Sequence, residues 1–74
     1  MRVVVKLFAS FQRGRFVAEA REYTSSTKVE NIVADLHNPP VEIGVILVNG
    51  RHVDLHYGPS DGDVLAIFPV IGGG

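Results

Sequence analysis

The residues with the clearest chemical potential stand at the carboxyl end. The chain closes on Gly72-Gly73-Gly74, directly after the apolar run Val64-Leu65-Ala66-Ile67-Phe68-Pro69-Val70-Ile71. Glycine has no Cβ, so such a tail can enter a narrow channel and take φ values closed to other residues. No side chain shields the last carbonyl from attack, and none brings a competing nucleophile. An α-carboxyl has a pKa of roughly 3.3–3.7, so at neutral pH it is a carboxylate and a poor electrophile. It must first be activated, for instance as an acyl-adenylate. The carboxylate of Gly74 is therefore read as the functional group, Gly72 and Gly73 as the slender tail behind it, and the rest of the chain as the handle that presents it. The plain alternative for a glycine-rich end is a frayed terminus. The apolar run entering the glycines without a linker argues against it.

The remaining chemistry-bearing residues do not converge. His52 and His56 are four apart, but they straddle a strand and a loop, and that spacing brings two histidines together only on a helix. With His37 on another element and no cysteine in the chain, no metal site is expected. Asp61 and Asp63 flank Gly62 and read as turn residues rather than a catalytic pair. The terminal glycines have no helix after them, so they do not make a phosphate loop. With no convergent acid, base and nucleophile, the chain is expected to be a carrier or co-substrate rather than an enzyme, with no bound cofactor of its own.

The tail has to be carried by a fold, and hydrophobic periodicity indicates which. Val3, Val5 and Leu7 share one face of a first strand, and Val4, Lys6 and Phe8 the other. Gln12-Arg13-Gly14-Arg15 suits a hairpin loop. Phe16 to Tyr23 alternates as a second strand. Thr27 with Glu30 three residues on predicts a capping box. Val29, Ile32, Val33 and Leu36 then form one helical stripe of about three turns, closed by Pro39-Pro40. Val45 to Val48 reads as a central strand. Asn49-Gly50 is a strong hairpin signal, with Arg51 to Leu55 returning. Asp61-Gly62 turns the chain into the last strand, Val64 to Phe68. That strand is apolar on both faces, which predicts a central position, flanked on both sides. The order β-β-α-β-β-β yields an α+β fold: a mixed sheet of four to five strands with one helix packed on one face. With the first and last strands as central neighbours, it is a β-grasp.

Composition bounds the answer further. Seventy-four residues allow one domain, read as 1–74 with a flexible tail over 70–74, and a chain this small buries only roughly 60% of its unfolded surface. The absence of cysteine excludes a disulfide scaffold, a thiolate metal centre and a catalytic thiol. With 46% hydrophobic and 20% charged residues, the chain is globular rather than disordered. A net charge of −1 without a basic block argues against nucleic acid as a partner. No apolar run approaches the roughly 20 residues that span a bilayer. The start, Met1-Arg2-Val3-Val4-Val5-Lys6, lacks signal-peptide features, so no membrane association and a cytoplasmic location are expected.

Asn49-Gly50, Asp61-Gly62-Asp63, Phe68-Pro69 and the closing Gly73-Gly74, in that order and spacing, resemble the ubiquitin-like sulfur carriers. These are the MoaD/ThiS family, which includes the small subunit of molybdopterin synthase and the thiamin-pathway sulfur carrier. The opening Val5-Lys6-Leu7-Phe8-Ala9 looks like the first strand of the molybdopterin type, whereas Val70-Ile71 before the glycines looks like the thiamin type. The resemblance implies that an E1-like enzyme adenylates Gly74 with ATP, and that the adenylate is converted to a thiocarboxylate. The sulfur would then go to an acceptor enzyme, such as the large subunit of molybdopterin synthase or thiazole synthase. It also implies that an apolar surface meets the activating enzyme, with Phe8, Phe68 and Pro69 as candidates and Phe11 a weaker one. A non-covalent β-grasp interaction module and a ubiquitin-like protein modifier are the alternatives.

Overall fold

The computed structural model describes residues 1–37 and 40–70. Five strands, β1 (Arg2–Leu7), β2 (Ala18–Glu22), β3 (Ile43–Val48), β4 (Arg51–His52) and β5 (Val64–Pro69), surround one α-helix, α1 (Val29–Asp35). Short 3-10 turns follow β1, at Ala9–Gln12, and precede β3, at Pro40–Glu42. The sheet order is β2-β1-β5-β3-β4. β1 and β5 run parallel at its centre, and every other pairing is antiparallel. The first and last strands are thus neighbours, as a β-grasp requires.

Period-two patterning sets the core. Val3, Val5 and Leu7 of β1, Leu65 and Ile67 of β5, and Ile46 and Val48 of β3 all face α1, which answers with Val29, Ile32, Val33 and, just past its end, Leu36. Phe11, on the 3-10 turn after β1, closes the end of this layer and is buried. The second face of β5 is not covered: Val64, Ala66 and Phe68 remain half-buried. The central position expected for β5 holds, between β1 and β3, and its second face stays open because a single two-turn helix can roof only one face of a five-stranded sheet.

The helix begins later than its sequence signal suggests. The Thr27 hydroxyl shares a hydrogen bond with the Thr24 hydroxyl at 3.0 Å, and its N–H bonds the Thr24 carbonyl, so Thr27 belongs to a turn. Asn31, not Glu30, reaches back: its Oδ1 accepts from the Lys28 N–H at 2.9 Å. The free N–H groups of Val29 and Glu30 donate to the carbonyls of Tyr57 and Leu55, each at 2.9 Å, so the helix is capped by a distant loop. That loop also shortens β4. After Val53 donates to Ile46 the chain turns at Asp54, which accepts from the His56 N–H at 2.8 Å, and the predicted return strand to Leu55 stops at His52. The α-helix has seven residues, about two turns rather than three. His37 then takes φ +61°; Asn38 and Pro39 lie outside the described residues.

The turn residues that flank β5 fasten the sheet. Asn49 and Gly50 both have positive φ, 51° and 83°, as a type I′ hairpin demands. The Asn49 side chain donates to Asp63 Oδ1 and accepts from the Val64 N–H, both at 2.9 Å. Asp63 Oδ2 takes the Ser60 N–H, and Asp61 Oδ1 takes the Arg2 N–H at 2.6 Å. Both aspartates are therefore structural. Asn49→Ala loses two hydrogen bonds and adds left-handed strain, and is expected to cost about 2 kcal/mol in urea unfolding. A cost below a few tenths would remove Asn49 from this role.

Tyr23 carries the one buried side-chain polar atom without a partner among the described residues, its hydroxyl. Burial pushes the phenol above its ordinary range, opposed by the nearby Arg21 charge and aided by those of Asp35 and Glu19. The folded chain thus holds this proton to higher pH than the unfolded chain, so the associated stability is full below about pH 10 and falls as pH rises through the folded value. Tyr23→Phe is expected to gain about 1 kcal/mol at neutral pH by removing an unpaired buried hydroxyl. It should also flatten the alkaline decline when unfolding is followed from pH 8 to 11.

Candidate functional site

The candidate site is the uncovered face of the sheet together with the point where the chain leaves it. Because α1 takes the odd-numbered residues of β1 and β5, the even-numbered Val4, Phe8, Val64, Ala66 and Phe68 are left to the opposite face. On β3 the parity is reversed, and Val45 and Leu47 join that face. All seven are half-buried. Phe8 follows the end of β1, and its N–H bonds the Ile67 carbonyl at 3.2 Å. Its ring stacks on Phe68, with centroids 4.2 Å apart and 13° between planes. Such a pair is worth about 0.5–1.5 kcal/mol beyond the area it buries, so the two rings behave as one rigid apolar plate. Neither ring belongs to the buried core facing α1, whereas Phe11 does.

Pro69 ends β5, half-buried beside this plate. Val70 is 55% exposed, yet its N–H donates to the Glu42 carbonyl at 2.9 Å. Residue 70, expected to belong to the tail, is the last of the described residues and is held by this bond. An apolar groove lined by Val45, Leu47, Phe68, Pro69 and Val70 runs along the open face to this point. The predicted reacting residue Gly74, and Gly72 and Gly73 behind it, lie outside the described residues. Phe8, Phe68 and Pro69 are brought together next to the tail's point of departure.

The electrostatics are simple. Asp61 and Asp63 sit at the opposite end of β5, about 20 Å away along the strand. Lys6, exposed, lies in register between Ala18 and Ala66 on the open face. His56 Nδ1 meets Glu30 Oε2 at 3.4 Å on the helix side. Among the described residues no three His, Asp or Glu side chains gather into a metal-holding group, and no helix is long and apolar enough to cross a membrane.

Sequence reasoning read Val45–Val48 as a central strand without dividing it between two faces, and so missed the contribution of Val45 and Leu47. The alternation within that run was the available signal. It also passed over Gly44, whose place at the start of a strand is a bulge signal.

The chain resembles several solved structures over nearly its whole length. A protein named molybdopterin converting factor, subunit 1, from Pyrococcus furiosus is 25% identical, with a TM-score of 0.78, over 96% of this chain and 99% of the other. Small archaeal modifier protein 1 of Haloferax volcanii is 21% identical, with a TM-score of 0.77, over 95% and 98%. A structure of subunits 1 and 2 of the molybdopterin-converting factor from Helicobacter pylori matches over 100% of both chains at 21% identity, with a TM-score of 0.69. The last two likenesses establish the fold alone. No curated protein matches. The profile of the ThiS family matches residues 5–74, from the middle of β1 through the terminal glycines, and the chain belongs to the ThiS family.

Proposed function

We propose that this protein is a sulfur carrier whose Gly74 carboxylate is adenylated and then converted to a thiocarboxylate. The observation that carries this reading is the join at Val70. A central strand ends beside a half-buried apolar plate on the open face, and Ile71 and three glycines follow Val70 in the sequence. Family and fold support a sulfur carrier or a ubiquitin-like modifier, and the bare glycine tail suits either.

The chemistry needs no catalytic group from this chain. A carboxylate oxygen of Gly74 attacks the α-phosphorus of ATP in an E1-like partner, and pyrophosphate leaves. Hydrosulfide, or a donor supplying sulfur at that oxidation level, then adds to the acyl carbon and expels AMP, leaving a thiocarboxylate. Its sulfur is a better nucleophile than the carboxylate oxygen was and can attack an activated acceptor. The chain's own contributions are a tail without side chains and a docking surface of Phe8, Phe68 and Pro69. The acceptor is favoured to be a molybdopterin-synthase large subunit, in keeping with the names of two structural neighbours. Val70-Ile71 keeps thiazole synthase as the alternative.

The test is intact-protein mass after incubation with an activating enzyme, ATP and a sulfide source. A gain equal to sulfur minus oxygen, mapped to Gly74, is expected. The modifier reading, favoured by the likeness to a small archaeal modifier protein, would instead give an isopeptide between Gly74 and a lysine of another protein. No gain with several activating enzymes, together with tight partner binding by the unmodified chain, would make it a docking module.

A further inference from the structure

β3 does not pair evenly with the end of β5. Ile43 stands opposite Pro69 and Val45 opposite Phe68, so Gly44 is an extra residue that bulges from the ladder. A Cβ on Gly44 would lie 2.7 Å from the Pro69 carbonyl oxygen, 3.0 Å from the Pro69 carbonyl carbon and 3.0 Å from Val70 Cα. All three are backbone atoms, so no rotamer change relieves the contact. Glycine is required here for space: a neighbouring backbone passes too close for any side chain. Proline has no N–H to give to the ladder. The donor that holds this end of the strand is therefore the Val70 N–H, bonded to Glu42 at 2.9 Å. The bulge and that bond lie on either side of Ile43 and together seat the Pro69–Val70 peptide. Four residues remain beyond it, a reach of at most about 14 Å, so the direction set at this peptide decides where the carboxylate arrives.

We infer that Gly44 is a positioning residue for the chemistry at the tail. Its missing side chain lets the Pro69–Val70 peptide rest on the bulge, and this fixes the peptide from which the reacting end must reach the partner's active site. The inference rests on the proposed carrier function. It separates two jobs within one surface: the phenylalanine plate docks the partner, and the bulge fixes the peptide behind the tail.

The separation can be measured. Gly44→Ala is compared with Val33→Ala, a core truncation on the far side of the sheet, in adenylate formation by the activating enzyme at varied carrier concentration. Displacing the tail by about 1 Å while docking is kept should lower kcat about tenfold to a hundredfold and leave KM within about twofold. Val33→Ala, although less stable, should keep kcat. A kcat equal to wild type, or a loss no greater than that of Val33→Ala, would overturn the inference. Amide exchange on the unaltered chain tests it without any variant. The Val70 N–H is expected to be protected, and exchange at the rate of a free peptide would refute the seating. If the wild-type chain is never adenylated, the carrier function fails instead, a distinct outcome.

Discussion

Removing Gly73 and Gly74 is expected to abolish the sulfur-dependent mass gain completely while leaving partner affinity within about threefold, since two glycines contribute little apolar area to an interface. The deletion draws the terminal carboxylate back by about 7 Å. Acyl activation tolerates no such retreat, because a misplacement of about 1 Å already costs on the order of a hundredfold in rate. Docking should survive, because the Phe8–Phe68 plate and the groove beside it are built from β1, β3 and β5, which the deletion does not touch. Binding by calorimetry and adenylation by pyrophosphate release are read on the same samples. Retention of activity by the shortened chain would show that the reacting group is not at Gly74.

Truncating both rings, Phe8→Ala with Phe68→Ala, should do the reverse. Aromatic anchors at the centre of an interface commonly cost about 2 kcal/mol or more each when truncated. The stacked pair acts as a unit, so the effects will not add fully. The Kd for the activating enzyme is expected to rise about a hundredfold. The mass gain should still form at saturating partner, because the tail is intact. Both rings lie on the open face rather than among the residues buried against α1, so the fold should persist with a modest loss of Tm. An unchanged Kd would mean that partners approach from the helix side, and that the plate serves only to stiffen the strand ends.

Most of this site could be read from the order of residues. The alternation in Val3–Phe8 and Val64–Phe68 assigned each phenylalanine to a face, and it placed both rings on the same one because parallel central strands keep their parity in register. The Asn49-Gly50 and Asp61-Gly62 turns were recognisable because left-handed φ values admit few residue types. Less legible were the features that depend on partners distant in sequence. The helix start moved from Thr27 to Val29 because carbonyls of residues 55 and 57 supply its cap, and the same requirement cut β4 to two residues. No window around Thr27 contains that information.

Local pattern therefore settled most of the strands, the turns and the alternation along β1 and β5, since each follows from side-chain period or backbone φ within a few residues. Tertiary structure alone decided which face stays open, how closely Phe8 meets Phe68, and how the chain leaves the sheet at Val70. The cover of a face depends on where a single helix packs. The stacking depends on the register between strands almost sixty residues apart. The departure depends on a bulge at Gly44 that meets a backbone twenty-five residues later. Contacts of that range arise only when the whole sheet has closed.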